Sequence, residues 1–224
     1  MDTNFLSHTM LFQGISSEEI QAMLGCLDVK QRSYDKGETI YAAGECVQSM
    51  GLVLSGSVQI ESDDLWGNKS ILDRVSAGAG FAETYACLPD EPMMVRAVAA
   101  EKSQIVFLRM ARLMQPCEMR CAGHRKLSAN LLRISAQKNL ILSRRIFHTT
   151  PKTIRGRLVS YLSFQAAREG RDEFTIPFNR QQLADYLSVD RSALSNELSK
   201  MQKEGLLRVH KNRFAVEKRG FLSE

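Results

Sequence analysis

Four residues near the C-terminal end, Arg191, Ser192, Ser195 and Asn196, recur at helical spacing and all carry hydrogen-bonding side chains. Arg can present two donors to guanine O6 and N7, Asn can pair both groups of an adenine edge, and Ser can reach bases or phosphates. Basic residues surround them: Arg180, Lys200, Lys211 and Arg213. Arg180 falls at the first turn of a predicted helix, where the helix N-terminus adds its own attraction for an anion. The chemistry on offer is recognition of double-stranded DNA, with Arg191, Ser192, Ser195 and Asn196 reading bases and the four basic residues meeting phosphates.

Other clusters are weaker. Cys117, Cys121 and His124 form C-x3-C-x2-H, which on a helix places three metal-ligating types on one face. A metal, haem or thiol sensor could use them. Cysteine is also a common small buried hydrophobe, and a fourth ligand has no candidate, so no metal is assigned. Catalysis lacks its motifs: there is no G-x-S-x-G, no Walker loop and no H-E-x-x-H, and the four histidines are far apart. The chain is not read as an enzyme, and no cofactor is called for beyond an unidentified small effector.

The donors need a frame, and the sequence supplies one. Asn179 can cap a helix over Arg180–Leu187, and Asp190 can cap a second from Arg191 to Met201, ending before Gly205. Leu183, Ala184, Leu187, Val189, Leu194 and Leu198 would fill the corner between them, giving a helix-turn-helix. Beyond Gly205, Leu206–His210 and Phe214–Val216 predict a hairpin wing with the basic tip Lys211-Asn212-Arg213. Upstream, Thr150 is the expected N-cap of a helix with Pro151 in its first turn, burying Ile154, Leu158, Tyr161, Leu162 and Phe164.

Residues 116–145 read as one long helix. Leu127, Leu131, Ile134 and Ile141 recur as on a coiled-coil seam, with Lys138 as a polar layer. Such a seam can pack on its own domain or on a twin chain; its place between two compact blocks favours a homodimer. The first hundred residues differ in texture. Ser16-Ser17-Glu18-Glu19 caps a helix, and then short runs such as 50–54, 58–61 and 105–108 alternate with Gly-centred turns, as in an antiparallel sandwich or roll.

Composition sets outer limits. Hydrophobic residues at 44% and charged residues at 25% describe an ordinary globular chain. No apolar run reaches the roughly 20 residues a membrane span needs, and MDTNFLSHTM has no secretory pattern. Five scattered cysteines suit a reducing cytoplasm. Residues 1–108 hold 7 Lys+Arg against 15 Asp+Glu, a net of −8, within a chain of +5; the remainder is therefore +13. A basic half of this kind suits a polyanionic partner.

Over nearly its whole length the chain resembles the cyclic-AMP receptor / fumarate-nitrate reduction regulator (Crp/Fnr) family of bacterial transcription regulators. The resemblance is carried by Tyr34–Ile40, Leu54–Ile60 and Gly80-Phe81-Ala82-Glu83 in front, and by Phe178–Leu187 and Arg191–Ser195 at the back. It implies an α+β fold: an antiparallel β-roll of the cyclic-nucleotide-binding, double-stranded β-helix kind (residues 1–115), a dimerisation helix and hinge (116–149), and a winged helix-turn-helix (150–224). It further implies a homodimer on a palindromic operator, RNA polymerase as a partner, base-reading by Arg191, Ser192, Ser195 and Asn196, and an effector pocket near Glu83 and Arg96. Many relatives have Arg where Asn196 stands. The stretch Leu88–Val95 also departs from the family's cyclic-phosphate pattern. Its two carboxylates and two prolines are the wrong chemistry for a phosphate, so an effector other than cyclic AMP is expected. It would act through the hinge at His148-Thr149-Thr150 to set whether two recognition helices stand one DNA turn, ~34 Å, apart. The rival reading is a ligand-binding module whose helix-turn-helix recruits protein.

Overall fold

The computed structural model describes residues 2–63, 69–114 and 122–217. It divides into two units, Met1–Ala136 and Gln137–Glu224, each with a core of its own.

The first unit opens with two helices, α1 (Thr3–Ser7) and α2 (Ser17–Leu24). The Ser16 hydroxyl accepts the Glu19 N–H while the Glu19 carboxylate accepts that of Ser16, closing a capping box. Strands β1 (Lys30–Tyr34), β2 (Thr39–Tyr41), β3 (Ser49–Ser55), β4 (Ser57–Asp63), β5 (Lys69–Ser76) and β6 (Gly80–Phe81) follow. Then come helix α3 (Glu83–Cys87), strands β7 (Arg96–Ala99) and β8 (Ser103–Arg109), the short α4 (Met110–Met114) and the long α5 (Ala122–Thr149). Two antiparallel four-stranded sheets result, in the orders β1-β8-β3-β6 and β2-β7-β4-β5. Alternation along β8 explains its continuous apolar run. Ile105 and Phe107 enter the core between the sheets with Val53, Val58, Phe81 and Ala97. Val106 and Leu108 face the other way, into a second core with Leu6, Phe12, Ile20 and Met23 from the N-terminal segment and its helices. At the β3–β4 turn Gly56 has φ +79, and a Cβ there would collide with Ser103, whose hydroxyl accepts the Ser57 N–H.

Helix α5 corrects one expectation. Leu127 and Leu131 are buried in the second of these cores, and Ile134 packs half-buried against it. That side of the helix is already occupied by its own chain, so Leu127 and Leu131 cannot form a seam with a partner, and Ile141 lies exposed beyond the covered stretch. Successive helical residues are 100° apart. The opposite side therefore carries Leu132, Ala136, Asn139, Ser143 and Ile146, all exposed.

The second unit contains the end of α5, then α6 (Ile154–Glu169), β9 (Glu173–Thr175), α7 (Arg180–Leu187), α8 (Arg191–Lys203), β10 (Leu207–His210) and β11 (Arg213–Val216). Helix α6 starts later than expected. The Thr150 N–H and hydroxyl both donate back to the Ile146 carbonyl, which finishes α5, and Thr153 is the N-cap of α6, accepting the Gly156 N–H at 3.0 Å. Leu158, Tyr161 and Leu162 from α6 meet Leu183, Ala184, Leu187, Leu194, Leu198 and Met201 in a single core. An antiparallel sheet ordered β10-β11-β9 closes it, with Phe174 stacked on Phe214.

Candidate nucleic-acid interface

Two helices meet at the corner as their caps require. The Asn179 side chain accepts the Gln182 N–H at 2.9 Å, and the Gln182 side chain returns the bond to the Asn179 N–H at 2.8 Å. Asp190 accepts the Ala193 N–H at 2.8 Å and starts α8. Between the helices Ser188 turns the chain at φ +54, a left-handed conformation costly for any residue with a Cβ. Leu194 and Leu198 anchor the inner side of α8. Its outer side exposes Ser192, Asn196 and Ser199, with Ser195 half-buried. Ser195 donates its hydroxyl to the Arg191 carbonyl at 2.9 Å, and Ser199 donates to the Ser195 carbonyl at 3.0 Å. Lys200 reaches the Glu197 carboxylate at 3.9 Å from a well-exposed position.

A cleft of about 870 Å³ runs beside the start of α8, lined by Asn179, Arg180, Gln181, Gln182, Arg191 and Lys211 among others. Among the described residues three cations line it and no carboxylate does. Arg180 is half-buried there with no acceptor among the described residues, and burial pulls its guanidinium below its ordinary pKa. Lys211 is lifted into the cleft by a left-handed turn at φ +55. Asn212, beside it, fixes the wing tip: its side chain donates to the Ile176 carbonyl at 3.0 Å, and its own carbonyl accepts the Ile176 N–H at 2.9 Å. Arg213 departs from the expected grouping. It bonds Glu173 at 2.8 Å and lines a separate groove with Gln202, Arg208 and His210.

Helix α6 braces this head. Arg155 bonds Glu197 at 2.6 Å and Glu204 at 2.7 and 2.8 Å, contacts that raise its pKa. The end of α5 is equally fixed. His148 is buried among Tyr161, Phe164 and Tyr186, with Ser160 Oγ 3.1 Å from its Nδ1. Burial, and the Arg144 guanidinium, lower its pKa. The expected hinge at His148-Thr149-Thr150 therefore starts on a residue locked into the second unit's own packing. Sequence reasoning missed Arg145, Arg155 and Arg157, and placed Asn212 at the wing tip without its bonds to Ile176. Only the paired acids Glu197 and Glu204, seven residues apart on one helix side, hinted at a basic partner.

In the first unit, Glu83 is buried at the start of α3. Arg96 stands directly opposite Glu61 in the β4–β7 ladder and bonds it at 2.6 Å, with Asp63 at 3.5 Å. Its charge is thus already answered by two carboxylates. His124 is buried with no partner for either ring nitrogen among the described residues, and burial lowers its pKa. Pro116, Cys117 and Cys121 lie outside the described residues, among which no group of three metal-ligating side chains collects. No helix among them is long and apolar enough to cross a membrane.

Comparison with known proteins agrees with both units. Residues 31–119 match the cyclic nucleotide-binding domain, and residues 156–224 match the Crp-like helix-turn-helix domain. The chain is 26% identical over 215 residues to the cyclic AMP receptor protein of Thermus thermophilus, covering 96% of this chain and 95% of that one. CprK in complex with OCPA shares the fold at a TM-score of 0.61 and 16% identity, covering 90% of this chain and 92% of that one. The sensor domain of the regulator DNR from Pseudomonas aeruginosa does so at a TM-score of 0.50 and 21% identity, covering 64% of this chain and 90% of that domain. With a cyclic nucleotide-binding domain in front and a Crp-like reading head behind, the chain belongs to the Crp/Fnr family of transcription regulators.

Proposed function

We propose that the protein is a cytoplasmic homodimer that binds a palindromic operator in the major groove, contacts RNA polymerase from there, and has its operator affinity set by a small effector in the roll. The observation that carries the DNA-binding surface is the cleft at the start of α8, with Arg180, Arg191 and Lys211 around it and no acid among the described residues. Ser192, Ser195 and Asn196 read base edges, with Arg191 at the rim where cleft and groove meet, while Arg180, Lys200 and Lys211 hold phosphates. Dimerisation uses the open side of α5, through Leu132, Ala136, Asn139, Ser143 and Ile146. Asn139 is the polar layer that sets register.

The relative's name points to cyclic AMP, but the pairing of Arg96 with Glu61 and Asp63 supports a different effector. A phosphate would have to displace a carboxylate at hydrogen-bond distance. The test is fluorescence anisotropy with duplexes selected from a random pool, at two salt concentrations. Sequence-dependent binding that weakens steeply with salt is expected, and salt-insensitive binding refutes the reading.

A metal, haem or thiol sensor on Cys117, Cys121 and His124 has one observation in its favour, the two ring nitrogens of His124 that find no partner among the described residues. Metal-free purified protein, with effector response intact in Cys121→Ala, removes it.

A further inference from the structure

An α-helix leaves its last four carbonyls without partners of its own. At the end of α7 the carbonyls of Asp185, Tyr186 and Leu187, with that of the cap Ser188, are taken by two arginines from two other helices. Arg145 of α5 donates to Asp185 at 3.1 Å and to Tyr186 at 3.2 Å. Arg157 of α6 donates to Leu187 at 3.0 Å and to Ser188 at 2.9 Å, and its Nε donates to the Pro151 carbonyl at 2.9 Å. Both positive charges stand at the negative end of the α7 dipole.

We infer that Arg145 and Arg157 are positioning residues for DNA reading: they hold the corner from which the recognition helix departs. This rests on the DNA-binding function proposed above. Ser188, the residue that turns the chain between α7 and α8, sits at φ +54, and a strained conformation persists only where its surroundings over-determine it. Arg157 holds the carbonyls on both sides of that turn's entry and also the loop that leads into α6. Arg145 holds the two carbonyls before them from the last turns of α5, so those turns move with the corner. Neither side chain lines the cleft. Base contacts need a fixed angle of approach, because paired donors must meet paired acceptors, whereas phosphates accept a cation from many directions. Releasing the corner should therefore damage sequence preference and spare general affinity.

The test uses the full-length chain, a duplex selected by the wild-type protein and a scrambled duplex of the same composition. Arg157→Met keeps the stem and removes the donors. Its affinity for the selected duplex is expected to fall tenfold or more while its affinity for the scrambled duplex stays within twofold. Arg145→Met should shift both in the same sense by less. Arg145→Lys, with the charge but not the planar fork, should fall between Arg145→Met and wild type. Amide exchange at Ser188 and Val189 should quicken in both methionine variants. A simple loss of stability would move exchange and urea midpoint without separating the two duplexes. Equal losses on both duplexes, or an unchanged affinity for the selected one in a folded variant, overturn the inference. Should Arg157→Met fail to fold, Arg145→Met decides by the same criterion. A wild-type chain that prefers no duplex overturns the DNA-reading function itself, before any variant is made.

Discussion

Lys211 offers the most direct quantitative test of how the wing meets DNA. It stands at the wing tip, lines the cleft, and has no acceptor among the described residues. Changing it to Gln keeps most of the side chain's length and removes one charge per chain. Each neutralised phosphate contributes about 0.9 to the slope of log affinity against log salt, so a dimer with two wings should lose about 1.8. Between 50 and 200 mM salt, a fourfold change, that difference compounds to about 12-fold: the wild-type advantage over Lys211→Gln should shrink by that factor. A single wing on DNA would give only about 3.5-fold. The assay is anisotropy on one duplex across a salt series, repeated on a scrambled duplex, where the same change is expected because phosphates carry no sequence. An unaltered slope in a folded Lys211→Gln protein would show that the wing tip stays off the backbone, and the cleft would lose its assigned role.

Further outcomes are open to measurement. His148 and His124 have lowered pKa values in the folded state, so stability is full above the unfolded imidazole pKa of about 6.5 and is lost as pH falls below it, by at most about 1.4 kcal/mol per unit for each. His148→Phe should flatten the urea-measured pH profile between pH 7.5 and 5.5, and an unchanged slope would contradict its buried neutral state. Arg96→Met strands the buried Glu61 carboxylate and should cost about 3 kcal/mol, most of it recovered when Glu61→Leu is added. No recovery in the double variant would mean the pair is not the source. On α5, Leu131→Ala should lower stability by about 2–5 kcal/mol and leave assembly intact, whereas Leu132→Glu should give a monomer by sedimentation. A dimeric Leu132→Glu protein would place the interface elsewhere.

The reading head was the most legible part of the chain, because its signals are local: Asn179 and Asp190 cap their helices, and the apolar spacing between them fills one corner. The side of α5 that its own chain leaves open was not legible. Leu131 and Leu132 are neighbours in sequence and 100° apart in space, and periodicity announces an apolar side without saying which surface covers it. Helix α1, five residues long, is too short to show a period. Thr150 and Thr153 are equally good caps by type, and only the bond from Thr150 back to Ile146 decides between them. Arg145 and Arg157 escaped because their acceptors are backbone carbonyls, which every sequence contains and none displays.

Two of the three serines on α8, Ser195 and Ser199, would give the proposed operator a character of its own. Each hydroxyl proton is engaged by a carbonyl one turn earlier, so what Ser195 and Ser199 turn outward is lone pairs. On the proposed reading, the helix would bring acceptors to the groove at these two serines, with the exposed Asn196 between them carrying both a donor and an acceptor. The amino groups of adenine and cytosine suit it there, and the keto edges of thymine and guanine do not, while the guanidinium of Arg191 at the near end looks for keto oxygens. Were Arg191 and the serines to read bases as proposed, a half-site with guanine under the helix start and amino-bearing bases under the serines would be the preferred one.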